Sequence, residues 1–452
     1  MTAYQKTSFC HKNVVWSSFF LADFLIYPPN FGIAPRFILF LYCRHDNLNN
    51  KEFVMKKTLL CLTLAGLLSA CGGSDNDSDS NSNPPPSSTT QIGVLTDGPV
   101  TGVKYLRTSS SGESIEDFTN DKGEFKYAEG DTVRFFIGDV QLGEAIEAKA
   151  RITPLDLAES ENARTNLMVF LQTLDHDGDH SNGIEIKPDI QTALTAVNMN
   201  FEQAPAEFST TFVNEVIPKT DIPLDRIVTP EKAAENFQAS FYKDIAGTWE
   251  IGRTNTAAVV LHILPDGRYV LGEADEADVT GQPGIEIGQL NWNALTSALS
   301  PEISLDTNGD YGLSHPDNDG QYRLSYNGTD LVLTDVGSNS TYILTKVKQS
   351  SGLVGTWKFS ETQLFAFFDN NYYFFLDGEG GEDCGWAGIE YGKLSINANT
   401  LTPTEVFYDT NECAGFHDSF DNSKSIVNYT ISGTSLTIGS EGEPSVTLQR
   451  SN

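Results

Sequence analysis

A run of acidic residues with alternating spacing carries the clearest chemistry in this chain. Asp175, Asp177 and Asp179 stand two residues apart and are followed by Asn182 and Glu185. At this spacing in a tight loop, carboxylate, amide and backbone oxygens converge on one point and form the oxygen shell that Ca²⁺ prefers. The sequence therefore predicts a calcium site formed by these residues.

This acidic loop resembles the calcium loops of EF-hand and thrombospondin-type proteins. It departs from the EF-hand pattern because His180 occupies the sixth position, where glycine is usual, and Ile186 occupies the twelfth, where glutamate is usual. Two alternatives remain open. His176 and His180 could bind zinc together with the acids, or the segment could be an acidic, solvated turn between two helices.

A cysteine near the start of the chain provides a second chemical signal. Met55 is followed by two lysines, residues 58–68 are largely apolar, and residues 68–71 read Leu-Ser-Ala-Cys. The apolar run is too short to cross a bilayer as a helix. The order of these features resembles the signal peptide and lipobox of bacterial lipoproteins. The resemblance implies that residues 55–70 are removed and that Cys71 becomes the lipidated N-terminus.

The lipobox resemblance also implies how the flanking residues are used. Residues 1–54 precede a segment that normally begins a lipoprotein, so we interpret them as a mis-assigned extension. Residues 71–90 are rich in Ser, Asn, Asp and Pro and are expected to form a flexible tether. Gly72, in place of aspartate, favours the outer membrane by the sorting rule of Gram-negative lipoproteins. The outer membrane, reached through the lipid anchor, is therefore one expected partner.

Two cysteines remain beyond the lipobox, Cys384 and Cys413. An even pair in an oxidising compartment predicts a disulfide bond. Two free buried thiols are the alternative, since spacing alone does not show that the Cβ atoms meet.

The net charge of the chain limits the kinds of partner that it can bind. The chain has 61 acidic and 29 basic residues and a formal charge of −32. Such a field repels nucleic acid, so no nucleic-acid partner is expected.

Nucleophile-elbow, dinucleotide-binding and phosphate-loop patterns do not occur in the sequence. Acid pairs such as Asp275 and Glu276 are most often solvated surface, so the sequence names no reaction.

Residues 91–149 contain short apolar runs separated by turns rich in Gly and Asp, a pattern typical of β-strands. The turn motifs include Gly-Pro-Val-Thr-Gly-Val at 98–103 and Lys-Gly-Glu-Phe at 122–125. Their order resembles the carboxypeptidase-regulatory-like, transthyretin-like domains of exported proteins. The resemblance implies a β-sandwich and carries no activity.

Residues 150–244 change to the apolar spacing of helices and contain the acidic loop. One helix has a clear start, with Thr229 as N-cap and Pro230 at the first helical position. This region is predicted to be a small helical domain.

The last two hundred residues repeat one pattern. Residues 245–249 recur as 353–357, and residues 284–290 recur as 388–394, with two further matches in the same order. The offsets between matching positions lie between 103 and 108 residues. This regularity predicts a tandem duplication of one small domain. We refer to residues 245–348 as repeat 1 and to residues 349–452 as repeat 2.

Each repeat begins with Gly-Thr-Trp, at Trp249 and Trp357, and ends in a strand that carries a cation, Lys346 or Arg450. This arrangement resembles the lipocalin-like superfamily. There the tryptophan closes one end of the barrel and the cation lies over its ring. The chain is thus predicted to be mainly β with a small helical segment: a β-sandwich, a helical domain and two tandem small antiparallel β-barrels.

Three functions are compatible with this organisation. The first is a non-enzymatic binding or surface-structural role, with an unknown ligand, glycan or protein as partner. The second is a cell-envelope hydrolase with an acid-based site, and the third is a structural spacer. A hollow barrel lined by perturbed acids would favour the enzyme, and a filled barrel with an exposed aromatic patch would favour binding.

Overall fold

The computed structural model describes the backbone of residues 7–11 and 14–18, and residues 89–316, 320–380, 385–412, 414–417, 426–440 and 444–451. The chain divides into two compact units, Met1–Ser82 and Asn83–Asn452. Within the first unit, strands β1 (Thr7–His11) and β2 (Val14–Ser18) pair in antiparallel fashion. All remaining elements belong to the second unit.

The second unit opens with nine short strands, eight of which form two small sheets. The strands are β3 (Gln91–Leu95), β4 (Val100–Thr101), β5 (Lys104–Thr108), β6 (Ser114–Phe118), β7 (Glu124–Tyr127), β8 (Thr132–Ile137), β9 (Val140–Gln141), β10 (Ile146–Glu147) and β11 (Arg151–Ile152). One sheet has the order β10-β8-β5-β6, with β9 beside β8, and the other has the order β11-β3-β7. Along β8, Val133, Phe135 and Ile137 are buried while Thr132 and Arg134 are exposed, so one face of the sheet forms core.

Five helices follow these sheets. They are α1 (Pro154–Leu157), α2 (Glu161–Thr173), α3 (Pro188–Ala193), α4 (Pro205–Glu215) and α5 (Pro230–Ile245), with strand β12 (Ile184–Glu185) between α2 and α3. The predicted start of α5 is confirmed, since the Thr229 hydroxyl accepts a hydrogen bond from Lys232 N at 3.2 Å. β12 pairs in parallel with β4. The apolar residues of the sheets, the helices and the inner face of repeat 1 form one continuous core.

Repeat 1 is an eight-stranded antiparallel sheet that curls without closing. Its strands are β13 (Gly247–Ile251), β14 (Ala258–Ile263), β15 (Arg268–Ala274), β16 (Gly284–Gln289), β17 (Glu302–Asp306), β18 (Tyr322–Tyr326), β19 (Leu331–Asp335) and β20 (Ser340–Lys346). β17 and β18 are the two ends of the sheet, so the prediction of a closed barrel is wrong here. The loop of residues 290–301 lies between these ends. It contacts β18 through Leu299 N to Tyr322 O at 2.8 Å and Leu324 N to Ser297 O at 2.9 Å.

Repeat 2 is a closed eight-stranded barrel, as predicted. Its strands are β21 (Gly355–Lys358), β22 (Gln363–Phe367), β23 (Tyr372–Asp377), β24 (Gly388–Asn397), β25 (Thr400–Asp409), β26 (Val427–Ser432), β27 (Ser435–Gly439) and β28 (Val446–Ser451). Large side chains, including Trp357, Phe367 and Phe416, fill its interior. The described part of this barrel is therefore packed and is not an empty calyx.

The two repeats pack against each other through their outer faces. Buried apolar side chains from both sides meet there, among them Val260, Val270, Ile285, Leu364, Phe374 and Ile389. Tyr391 and Tyr408 of repeat 2 donate hydroxyl hydrogen bonds to the backbone oxygens of Thr254 and Thr256, at 2.6 and 2.8 Å. Among the described residues, no helix is both long and apolar enough to span a membrane.

Candidate binding pocket and ion sites

The acidic loop begins directly after α2 and places Asp175 in the interior. Asp175 is only 1% exposed, and its Oδ1 accepts a hydrogen bond from Glu185 N at 2.8 Å. Its Oδ2 is buried and has no hydrogen-bond partner among the described residues. His180 Nδ1 lies 3.7 Å from that oxygen. Burial raises the pKa of Asp175, and the neighbouring Asp177 carboxylate raises it further.

The other acidic side chains of the loop hold its backbone. Asp177 accepts hydrogen bonds from Asp179 N at 2.8 Å and from Asn182 Nδ2 at 3.1 Å. The Asp179 carboxylate accepts from Ser181 N at 3.1 Å. The Glu185 carboxylate pairs instead with Lys187 Nζ at 2.6 Å. Four of the five predicted ligands, Asp175, Asp177, Asp179 and Asn182, therefore lie close together, whereas the Glu185 side chain has another partner.

A cation that the sequence did not indicate also contacts this loop. Arg226 donates hydrogen bonds to the backbone oxygens of Asp175, at 2.6 Å, and His176, at 3.1 Å. Its guanidinium also lies against Gly178, which has φ +74°. The loop is therefore closed on one side by a fixed positive charge, which offsets part of its negative charge.

The predicted tryptophan–cation pair is present in both repeats. Lys346 Nζ lies 5.3 Å from the ring centroid of Trp249, and Arg450 Cζ lies 3.9 Å from that of Trp357. Both indoles are fully buried. Their N–H groups donate to backbone oxygens four residues earlier, at 2.8 and 2.7 Å. These residues are structural, and the shorter distance makes the pair in repeat 2 the tighter one.

Three predicted site residues, Cys71, Cys384 and Cys413, lie outside the described residues. Lipidation and the disulfide bond therefore stay predictions.

A buried carboxylate recurs in both repeats. In repeat 1, Glu286 accepts hydrogen bonds from the Tyr269 hydroxyl at 2.6 Å, from Leu313 N at 3.0 Å, and from both the backbone and the hydroxyl of Ser314. Burying a charged group requires such partners. The glutamate thereby anchors the loop that follows β17 against the sheet.

The same arrangement appears in repeat 2 around Glu390. It accepts from the Tyr373 hydroxyl, from Phe416 N at 3.0 Å and from His417 N at 3.1 Å. Burial raises the pKa of Glu390 to about 7. Both glutamates stand in the repeated Gly-Ile-Glu motif. That repetition was the feature of the sequence that could have drawn attention to these glutamates. Their burial and their loop partners, by contrast, depend on tertiary packing.

Repeat 1 brings further polar groups next to its buried glutamate. The ligand atoms of Glu286, Asp306 and His315 all lie within 4.8 Å of one another. Asn308 is fully buried, and neither its amide oxygen nor its amide nitrogen has a hydrogen-bond partner among the described residues. We call these four residues the repeat 1 cluster.

A pocket lies where the sheets, the helices and repeat 1 meet. Its volume is about 250 Å³. The lining side chains with charge or aromatic rings include Arg151, Arg164, Arg323, Asp156, Phe241, Trp292 and Tyr326. The pocket thus collects three guanidinium groups in a chain with a net charge of −32.

Two of these arginines are held by neighbouring groups. Arg151 is 8% exposed, pairs with Asp244 at 2.7 Å, and lies 5.8 and 5.6 Å from the ring centroids of Phe241 and Tyr326. Arg164 Nη1 donates to Leu295 O at 2.6 Å. These contacts fix the guanidinium groups in place, which favours recognition of a carboxylate without much loss of side-chain entropy.

The aromatic wall of the pocket comes from two different modules. Phe241 of α5 stacks on Trp292 of repeat 1 with ring centroids 3.9 Å apart. The Trp292 indole N–H donates to Leu324 O at 2.8 Å, and its backbone N–H donates to the Tyr242 hydroxyl at 2.9 Å. The pocket therefore exists only because helix α5 packs against the open end of repeat 1.

Comparisons with protein-family models, curated proteins and solved structures found no match to this chain.

Proposed function

We propose that the protein is a lipid-anchored envelope protein with a non-enzymatic binding role. The observation that carries the proposal is the pocket lined by Arg151, Arg164 and Arg323 and by aromatic rings. The Asp244 carboxylate offsets the charge of Arg151, so the guanidinium groups of Arg164 and Arg323 provide the local positive charge that attracts an anion.

The pocket chemistry favours a carboxylate-bearing sugar. Guanidinium groups bind carboxylates with paired hydrogen bonds, and aromatic rings offer apolar faces for packing against a sugar ring. The volume of about 250 Å³ is below the several hundred Å³ of a typical drug-sized site. We therefore expect one acidic sugar unit, such as a uronic acid within an envelope glycan, to be the bound element.

Calorimetry on the full-length protein tests this function with galacturonate and, as the neutral counterpart, galactose. We expect binding of the acid only, and at least a tenfold loss of affinity in Arg323→Ala. Arg323 is exposed, so its removal should leave the fold intact. The matched control is Arg134→Ala on the exposed face of β8, which should bind as the wild type does. Equal binding of both sugars, or no effect of Arg323→Ala, would refute the proposal.

The lipid anchor rests on the lipobox resemblance at Cys71. We expect the mature protein to begin at Cys71, with acyl chains that hold it in the outer membrane. The mass of membrane-extracted protein measures this directly. A Cys71→Ala variant should leave the membrane fraction or stay unprocessed. Normal processing and membrane retention of that variant would refute lipidation.

We further propose a calcium ion in the acidic loop. The supporting observation is the buried Asp175 Oδ2, which lacks a partner among the described residues and lies beside the Asp177 carboxylate. Asp175, Asp177, Asp179 and the Asn182 amide oxygen would supply ligands. Glu185 would have to leave Lys187 to join them. Because all of these ligands are oxygens, the set suits calcium better than zinc.

Calorimetry and thermal unfolding of the full-length protein test the calcium proposal. We expect a dissociation constant on the order of 10⁻⁴ to 10⁻³ M, as in extracellular modules, and stabilisation by calcium through linkage. Asp177→Ala should abolish both effects, whereas Asp221→Ala, an exposed acid outside the loop, should change neither. A wild-type protein that shows no calcium-dependent shift would leave only the solvated turn.

The hydrolase alternative has one supporting observation and one opposing it. Burial raises the pKa values of Glu273 and Glu390 to about 7, the range of a general acid. Glu390, however, is fully buried beneath the loop that contains Phe416 and His417. A substrate does not reach it in this conformation, so binding remains the better-supported function.

A further inference from the structure

We propose that the repeat 1 cluster is a binding site for a divalent transition-metal ion. Its ligands are the Glu286 and Asp306 carboxylates, an imidazole nitrogen of His315 and the amide oxygen of Asn308. This site is separate from the arginine-lined pocket and from the acidic loop.

Strand pairing brings the two carboxylates together. Glu286 on β16 and Asp306 at the end of β17 are direct partners in the antiparallel register. The chain then turns and returns over the sheet, where Leu313 N and Ser314 N bind the Glu286 carboxylate. His315 follows at once, and its ligand atom lies within 4.8 Å of those of both acids. A single ion between them fits the distances across a coordination shell.

Asn308 is an independent indication that an ion binds at this position. It is 0% exposed, and both of its amide atoms lack hydrogen-bond partners among the described residues. Leaving a buried amide without hydrogen-bond partners destabilises the folded state, because the group has lost its contacts with water. An ion that accepts the amide oxygen as a ligand would remove part of that destabilisation.

A glycine shows that the amide and the carboxylate face the same space. Gly312 has φ +100°, and a Cβ there would lie 2.7 Å from Glu286 Oε2 and 3.1 Å from Asn308 Nδ2. The Glu286 carboxylate and the Asn308 amide nitrogen therefore border one small volume that glycine leaves open, and the amide group would turn over to present its oxygen to an ion there. The positive φ also disfavours any other residue at this position.

The local charge is a second reason for a cation. Burial, together with the neighbouring Asp275 and Glu286 carboxylates, raises the pKa of Glu273 to about 7. Asp310 lies 4.0 Å from the His315 imidazole. An ion of charge +2 would offset several of these negative charges at once.

Ion binding requires one change of partners. Glu286 Oε2 accepts from both the backbone and the hydroxyl of Ser314. The ion would replace the hydroxyl, whose other neighbour is His315 Nδ1 at 2.8 Å. The two backbone hydrogen bonds and the Tyr269 hydrogen bond would remain and orient the carboxylate.

The mixture of one imidazole nitrogen with carboxylate and amide oxygens selects the class of ion. Imidazole suits borderline metals such as zinc, whereas calcium prefers a shell made of oxygen alone. In the usual order of affinities zinc binds more tightly than manganese at such a site. We therefore expect Zn²⁺ to bind most tightly, Mn²⁺ to bind more weakly and Ca²⁺ to bind poorly.

Repeat 2 supplies a natural control. Glu390 and Asp409 are also strand partners, and His417 Nδ1 lies 3.3 Å from Asp409 Oδ2. The equivalent asparagine differs, because Asn411 Nδ2 donates to Asp377 Oδ2 at 3.5 Å. The Asn411 amide oxygen, too, lacks a hydrogen-bond partner in the described part of the chain. Among the described residues, however, only Glu286, Asp306 and His315 bring three ligand atoms within 4.8 Å of one another, so we expect weaker metal binding in repeat 2.

Calorimetric titration of the metal-stripped, full-length protein with ZnCl₂ tests the proposal. We expect His315→Ala and Asp306→Asn each to weaken the tightest site at least tenfold and to remove the rise in melting temperature that zinc causes. His417→Ala is the matched variant in repeat 2, and His180→Ala is the matched variant in the acidic loop. Both should retain the tight site.

The competing outcomes are distinct. A wild-type protein that binds no zinc overturns the proposal, as does zinc binding that His180→Ala abolishes and His315→Ala leaves intact. His315 is about half exposed, so His315→Ala should fold normally. Its melting temperature without metal checks this. The sugar titration of the pocket is independent of either result.

Discussion

The two repeats share a pattern but differ in how their sheets end. In repeat 2, β24 and β25 are ten residues each, and β25 reaches β26 through the pairs Thr400–Asn428 and Leu401–Val427. In repeat 1 the equivalent strands have six and five residues, and the loop of residues 290–301 replaces the tip of the hairpin. One duplicated unit therefore closes on itself, while the other stays open toward the helices.

This difference shows how an open sheet can be kept from unwanted pairing. An exposed edge strand can pair with other chains, so proteins cover it or close the barrel. Repeat 1 covers its open end with α5, through the stacking of Phe241 on Trp292. The opening thereby becomes the arginine-lined pocket. A barrel that closed like repeat 2 would have no room for it.

The largest expected effect comes from removing the buried tryptophans. Trp357→Ala and Trp249→Ala should each lower the free energy of unfolding by about 3 to 5 kcal/mol, as for other large core truncations. The Trp249 indole donates to Ile245 O at the end of α5. Trp249→Ala should therefore also reduce helical circular dichroism at moderate denaturant, whereas Trp357→Ala should not.

Denaturant titration followed by circular dichroism and fluorescence measures these losses. Trp386→Ala is the control, since Trp386 is 68% exposed and should cost under about 1 kcal/mol. If both buried-tryptophan variants reduced helix content equally, the repeats would not differ in their coupling to the helices.

The second effect concerns the cysteine pair, which only repeat 2 contains. A Cys384–Cys413 disulfide would close a loop of about 30 residues and contribute roughly 3 kcal/mol in the chain-entropy account. Reductant should therefore destabilise repeat 2 and leave repeat 1 unchanged. Peptide mapping without reduction should recover the linked pair. Alkylation of both thiols in native protein would contradict the prediction.

The third effect is the part of the pH dependence that Glu390 of repeat 2 contributes. The pKa of Glu390 is about 7 in the folded protein because of burial, and its ordinary value is near 4.5. The folded state therefore holds this proton more strongly than the unfolded state does. Stability from Glu390 is present at low pH and is lost as the pH rises through 7, by about 2 kcal/mol between pH 5 and 7.

Unfolding of wild type and Glu390→Gln at pH 5 and pH 7, both in metal chelator, measures this slope. The variant should have the flatter dependence. Glu405→Gln replaces an exposed carboxylate that pairs with Lys393 and should keep the wild-type slope. An unchanged slope in Glu390→Gln would show that another group carries the dependence.

The smallest expected effect is the difference in stability that the two tryptophan–cation pairs contribute. Arg450 Cζ lies 3.9 Å from its ring and Lys346 Nζ lies 5.3 Å from its own. Arg450 also donates to Gly352 O at 2.6 Å. Such contacts contribute about 0.5 to 2 kcal/mol. Arg450→Ala should lie near the top of that range and Lys346→Ala near the bottom. Chemical denaturation that gave the reverse order would contradict the geometric argument.

Local signals in the sequence predicted much of the β architecture. The duplication was visible because Gly-Thr-Trp and Gly-Ile-Glu recur in order. The start of α5 was visible because Thr229 and Pro230 form a standard N-terminal signal. Both features depend on residues close together in the chain, where spacing and side-chain type are sufficient.

The open end of repeat 1 had no comparable signal. Trp292 stands where repeat 2 has Ile396, and both are apolar residues in similar surroundings. Whether the segment forms a hairpin tip or a loop depends on helix α5, whose Phe241 receives the indole. Tertiary contact therefore decides between two structures that the local sequence leaves equally open.

The candidate sites were predicted unevenly for the same reason. The acidic loop is continuous in sequence, so its position was evident. The pocket joins Arg151, Arg164 and Arg323, which are far apart in the chain and converge only after packing. The repeat 1 cluster combines strand register with the unsatisfied amide of Asn308, and neither feature can be read from residue spacing.

The continuous core that joins the sheets, the helices and repeat 1 also sets an order for folding. It collects residues from Leu95 to Leu344, whereas the interior of repeat 2 is built from residues between Leu353 and Leu448. Because a chain is synthesised from its N-terminus, the first core lacks its last strands until Leu344 has been added. The residues that precede Leu344 therefore stay only partly buried until then, and transiently exposed apolar surface of this kind is what chaperones protect.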